Sequence, residues 1–190
     1  GDGHSFSVPE YVRFIATVNF DHTTEELSPR FLDRSWVITL DPDNSVFDDD
    51  NKVLEGEFSA TTPFSYDKLK SVFGFKPGLR LSNDSRSKLK EVLEICDAHH
   101  FPISQRSQRM MRDYICTAEQ VMDISSAQSA YSPVDFAVAQ KILPQLSGTE
   151  DRILELLKRF ESVSALPETK KRVKRMLEMG SENGYYQYFG

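Results

Sequence analysis

Asn19, Arg30 and Arg34 are the residues whose types and spacing could do chemistry together. Asn19 closes a nearly continuous apolar run, Tyr11 to Val18, rich in β-branched and aromatic residues. Such a run suits a strand buried on both faces. A polar residue at the carboxyl end of a strand stands where open α/β sheets place their ligand chemistry. Ser28 and Pro29 then cap and start a helix. Arg30 and Arg34 lie one turn apart on it, so they share a face. A planar, permanently charged guanidinium suits phosphoryl or carboxylate oxygens. Trp36 to Leu40 is a second apolar run that reads as a strand.

Other reactive residue types read as ordinary structure. Asp48, Asp49 and Asp50 are consecutive. A calcium loop needs alternate spacing and a closing Glu, so these read as a solvated acidic loop. His99 and His100 are adjacent, and sequence neighbours rarely face one ion. Cys96 and Cys116, the only cysteines, sit inside helical patterns without metal spacing and read as reduced core thiols. No metal site is expected. Lys170, Lys171, Arg172, Lys174 and Arg175 make the last helix basic. Val173, Met176 and Leu177 give that helix an apolar side, so a solvated face is the default and a phosphate backbone the alternative.

These groups must be positioned by few strands and many helices. Leu54 to Phe64 reads as an edge strand or linker. The boundary near Phe58 separates 1–57, an α/β part of two parallel strands and a helix, from 58–190, an all-α domain. Ser65 caps a helix from Tyr66 to Phe73, stopped by Gly74. Asn83 or Asp84 caps a longer one to Ala98, with Leu89, Val92, Leu93 and Cys96 as its stripe. Ser104 caps the next, whose buried face runs from Ser107 through Met110, Met111, Tyr114, Ile115 and Ala118 to Met122. Ser132-Pro133 starts Val134 to Leu143, ended or bent by Pro144. Thr149 caps a helix through Ser162, and Leu166-Pro167 opens the last, ending near Gly180. Tyr185, Tyr186, Tyr188 and Phe189 would be an exposed patch in a free tail, so they are expected to dock.

The 190 residues carry a net charge of −6, so the surface as a whole is not one that coats nucleic acid. No apolar run is long enough to span a bilayer, and no signal-peptide pattern opens the chain. A cytoplasmic location without membrane contact is the expectation.

The ordered set F-I-A-T-V-N, polar loop, L-S-P-R-F-L-D-R, apolar strand resembles the sensor 1 to arginine-finger segment of AAA+ ATPases. The nearest branch is that of McrB-type restriction NTPases and the dynein and midasin modules. The resemblance implies that Asn19 is sensor 1, orienting an attacking water. It implies that Arg34, with Arg30 as second candidate, reaches the neighbouring subunit's nucleotide and stabilises charge on the transferring phosphoryl group. I-S-Q-R-S-Q-R-M-M-R-D-Y-I is similar to the sensor 2 helix of the AAA+ lid. It implies that Arg106, with Arg109 as fallback, points at the γ-phosphate, aided by the helix N-terminus. D-F-A-V-A-Q-K-I-L-P-Q-L-S-G also resembles the McrB-type branch, and reads as packing.

Neither G-x-x-x-x-G-K-[ST] nor a strand ending in paired magnesium-binding acids occurs in the sequence. The resemblance therefore implies the C-terminal sensor and lid portion of a longer NTPase. ATP or GTP with magnesium would be bound in the parent, with no cofactor in this portion and no activity of its own. Partners would be neighbouring subunits, in a homo-oligomer of hexameric type, and a nucleic acid or nuclease. The alternatives are a non-enzymatic helical interaction module and direct nucleic-acid binding through the basic last helix.

Overall fold

Serine hydroxyls set five of the helix starts. The computed structural model describes residues 7–9, 12–18, 27–40, 65–74, 78–122, 132–149, 151–163 and 165–189. Helices α1 (Pro29–Leu32), α2 (Tyr66–Phe73), α3 (Asn83–Ala98), α4 (Gln105–Val121) and α5 (Pro133–Ala137) follow Ser28, Ser65, Ser82, Ser104 and Ser132. Each hydroxyl accepts the backbone N–H three residues on, satisfying a donor the helix cannot. Each such cap is worth about 1 kcal/mol. The cap of α3 is Ser82 rather than Asn83 or Asp84. Its hydroxyl also donates to Glu119 on α4 at 2.7 Å, a cross-helix contact that the later positions do not make.

α3 ends in a Schellman motif. Phe101 N–H bonds the Cys96 carbonyl, His100 N–H bonds that of Asp97, and His100 takes φ 56°. The histidine pair is thus a helix stop, with His99 Nδ1 2.8 Å from the Ile95 carbonyl oxygen.

α5 does not stop at Ala137. It widens into a π turn, Val138–Ile142, then tightens into a 3₁₀ turn, Leu143–Gln145. Pro144 has no N–H and would collide with the Gln140 carbonyl in a regular helix, which accounts for the change of pitch. Strand β1 (Ser147–Gly148) follows, then α6 (Asp151–Ser162) and α7 (Pro167–Asn183), then strand β2 (Tyr186–Gln187). The two short strands pair antiparallel, Ser147 opposite Gln187 and Gly148 opposite Tyr186.

The fold is predominantly helical. α5 lies in the middle, touching α3, α4 and α7, while α6 packs along α7 and α3. Val92, Met111, Ile115, Val138, Leu156 and Phe160 bury almost completely in one shared core. Each such side chain contributes about 1.5–3 kcal/mol by leaving water. The aromatic tail docks on this body as expected, with Tyr186 and Tyr188 packed against the core.

α7 runs three residues past Gly180 and ends at Gly184, whose φ of +75° favours glycine. Gly180 lies inside the helix because Tyr186 needs the space. A Cβ there would stand 2.1 Å from Tyr186 Cδ1. Gly180→Ala is therefore expected to destabilise the chain by about 1–3 kcal/mol, read as a lowered Tm. The same change in a Tyr186→Ala background should cost nothing from the clash.

The N-terminal part departs from the expected parallel strands. Residues 12–18 form no strand pairing among the described residues, and Phe14 and Ile15 are 85% and 94% exposed rather than buried. Residues 36–40 form no strand among the described residues. Val37 N–H finds the Gln140 carbonyl at 3.1 Å, the acceptor that Pro144 leaves without its helical donor. Trp36 packs on Tyr114 with ring centroids 4.9 Å apart, and Thr39 Oγ1 lies 2.9 Å from the Tyr188 hydroxyl. A strand needs a neighbour for its backbone groups, and here the available partners are a helix carbonyl and side chains. Asn19, Asp48 to Asp50, the Leu54 to Phe64 segment and the boundary at 57/58 lie outside the described residues. Among the described residues no helix is long and apolar enough to cross a membrane.

Candidate functional site around the Arg34 turn

α1 is a four-residue helix, and its C-terminal carbonyls have no partner further along it. Lys141 supplies one. Its ammonium donates to the carbonyls of Leu32 at 3.1 Å, Asp33 at 2.8 Å and Ser35 at 2.7 Å. The lysine comes from the π turn of the central helix and is 1% exposed. Burying an ammonium costs several kcal/mol. Three charge-assisted hydrogen bonds, each worth about 1.5–3 kcal/mol, offset that cost. An ammonium has three N–H groups, so none is left over. Burial pushes the Lys141 pKa down to about 8, against the pull of the nearby Asp33 carboxylate.

The Asp33 side chain faces the other way, onto the start of α4. Oδ1 accepts from Ser104 Oγ at 2.5 Å and from Ser107 Oγ at 2.9 Å. Oδ2 lies 3.4 Å from a guanidinium nitrogen of Arg106. An anion at a helix N-terminus is favoured by the orphan N–H groups and the helix dipole. The Ser104 hydrogen bond holds the Asp33 carboxyl below its ordinary range, with burial opposing and Ser107, Lys141 and Arg106 assisting. A carboxyl depressed in the folded state contributes stability above its unfolded pKa. That contribution is lost as pH falls through the folded value. Tm measured from pH 6 down to pH 3 should therefore fall less steeply in Asp33→Asn than in the wild type. Parallel slopes would mean that the Asp33 bonds carry no linkage.

Arg34 sits between these two attachments. The carbonyls on either side of it, at Asp33 and Ser35, are held by Lys141, and the preceding side chain is bonded to α4. Its own side chain is exposed and makes no ion pair among the described residues. Arg30 is likewise exposed, but α1 ends at Leu32, so the two arginines do not share a continuous helix face. Arg106 stands in the first turn of α4 with its side chain 56% exposed, and Arg109 follows one turn on, also exposed. The fold thus brings Arg106 to the Arg34 turn through Asp33. Asn19 lies outside the described residues.

Lys141 and Asp33 carry little signal in the sequence. Lys141 falls in an apolar stretch that reads as packing, and its one signal is a charged residue directly before I-L-P. Asp135, 0% exposed, is equally silent in sequence, and its carboxylate accepts the N–H groups of Glu168 and Thr169 at 2.8 Å each. An aspartate of one helix therefore caps the start of another, α7.

Burial pushes the Cys96 thiol up to about 12 and raises Cys116 as well, so neither is a poised nucleophile. Among the described residues no His, Cys, Asp and Glu gather to hold a metal. In the basic cluster of α7, Arg172 is tied to Glu168 and both are largely buried. A shallow groove of about 530 Å³ runs along α4, lined by Trp36, Met110, Tyr114, Ala118, Val121 and Met122 among others.

The fold and the site define a helical domain that carries one clamped, outward-facing arginine turn. Residues 60–186 match the family described as Domain of unknown function (DUF8727), and the chain belongs to that family. The match takes in α2 to α7 and Lys141, and begins after Arg34. No curated protein and no solved structure matches the chain.

Proposed function

We propose that this chain is the sensor, finger and lid portion of a ring-forming AAA+ NTPase of the McrB-type branch. The observation that carries the reading is the Arg34 turn: an exposed guanidinium without an ion-pair partner among the described residues, on backbone gripped by Lys141 and by Asp33. A group that must meet charge on another molecule needs a free head and a fixed base. Arg34 would stabilise the phosphoryl group transferred in the neighbouring subunit. Arg106, whose guanidinium makes a long contact to Asp33, would be available to the γ-phosphate of its own subunit. Asn19 would orient the attacking water. Exposed apolar residues such as Phe14 and Ile15 would join the sheet of the complete α/β core.

ATP or GTP and magnesium would be held by other parts of the parent. This sequence has no phosphate-binding loop, and its described residues gather no metal ligands. On this reading the portion alone hydrolyses nothing and works in a homo-oligomer, of hexameric type, on nucleic acid or protein, in the cytoplasm. The test is NTP hydrolysis by the full-length parent with Arg34, and separately Arg30, replaced by alanine.

A further inference from the structure

We infer that Lys141 is a positioning residue for Arg34, holding its backbone so that the guanidinium projects in one direction from the helical body. The inference rests on the proposed role of Arg34 and adds the residue that regulates its aim. Three observations carry it. All three ammonium hydrogens of Lys141 go to carbonyls of the Arg34 turn, at Leu32, Asp33 and Ser35. The lysine stands in a π turn of the central helix, so the turn is anchored to the middle of the core rather than to a loop. The same stretch bonds the chain beyond the turn, through Gln140 and Val37. A helix end that needed only solvation could expose its carbonyls to water. Burying an ammonium to bind them instead makes their direction fixed.

The clamp also links two sites. α4 carries Arg106, and Asp33 binds Arg106, Ser104 and Ser107 while its carbonyl binds Lys141. A shift of α4 would reach Arg34 through one residue. The lid of one subunit would thereby set the arginine offered to the next.

The test has two arms. In the first, the 190-residue chain is digested with trypsin under native conditions and cuts are mapped by mass. Arg34 is an exposed trypsin site, but its flanking carbonyls are held, and a protease must open that backbone to bind it. Cleavage after Arg34 is expected to speed up at least about tenfold in Lys141→Met, while cuts inside α6 and α7 keep their wild-type rates. If Lys141→Met does not fold, Lys141→Gln, which keeps two donors, replaces it. In the second arm the full-length parent is assayed for NTP hydrolysis. Lys141→Met should lower kcat with KM nearly unchanged, and adding it to Arg34→Ala should cost nothing further. Unchanged cleavage after Arg34 overturns the inference whatever hydrolysis does, and so does a loss in the double variant that equals the product of the two single losses. Faster cleavage together with hydrolysis that ignores Arg34 leaves the clamp standing and rejects the finger reading instead.

Discussion

Arg34→Ala is expected to lower NTP hydrolysis by the assembled full-length parent by about 10³- to 10⁵-fold, the range for loss of an arginine finger. On the proposed finger role the loss should fall on kcat, because the contact would be made to charge that develops in the transition state. Arg30→Ala should cost far less. Arg30 belongs to the first turn of α1, whereas Arg34 lies in the turn whose flanking carbonyls Lys141 holds. A finger acting in trans has a further signature. Wild-type subunits titrated with Arg34→Ala subunits should lose activity in proportion to mixed interfaces, and specific activity should rise with protein concentration. Arg34→Lys should not restore the rate, since a point charge lacks the planar fork. Hydrolysis that is indifferent to both arginines would sink the AAA+ reading, and the helical interaction module would take its place.

Asp135→Ala is expected to destabilise the chain by about 3 kcal/mol. Asp135 is fully buried and accepts two backbone N–H groups from the first turn of α7, while Thr169 Oγ1 donates to its carbonyl at 3.2 Å. Hydrogen bonds to a charged group contribute about 1.5–3 kcal/mol each, and stranding a buried donor costs about 1–3. Leu166, the residue at the cap position, has no side chain that could take over. Asp135→Asn should recover only part, because one of its two terminal atoms is a donor facing a donor. Urea denaturation followed by circular dichroism decides the matter. The midpoint should fall with an unchanged slope. Thr169→Ala should cost less than half as much, since it removes one neutral bond to a carbonyl.

The helix starts were legible because a cap is a local device. Ser28, Ser65, Ser104 and Ser132 each announce the helix that follows, and the hydroxyl needs nothing beyond the next three residues. Gly74 and Leu166-Pro167 mark boundaries for equally local reasons. Ser82 is not legible as the cap ahead of Asn83 or Asp84, because its role also depends on Glu119, thirty-seven residues away. α7 runs beyond Gly180, where the sequence suggests a stop, because the need for that glycine comes from Tyr186 packing across it.

The apolar stripes of α3 and α6 by themselves determined which faces enter the core, since helical period fixes that with no knowledge of the partner. Sequence also singled out Arg30 and Arg34 by type and spacing, and Arg106 and Arg109 through the resemblance of their helix to the AAA+ lid. Only the tertiary structure decided that Asp33 binds the start of α4, that Lys141 grips the turn around Arg34, and that Asp135 caps a helix thirty-two residues downstream. It likewise decided that residues 36–40 meet a helix carbonyl and a tyrosine instead of a neighbouring strand. The physical reason is common to these cases. A hydrogen bond within one turn is set by backbone geometry at a fixed sequence distance. A buried lysine or aspartate is tolerable only where distant groups converge to satisfy it, and that convergence is a property of the packed chain.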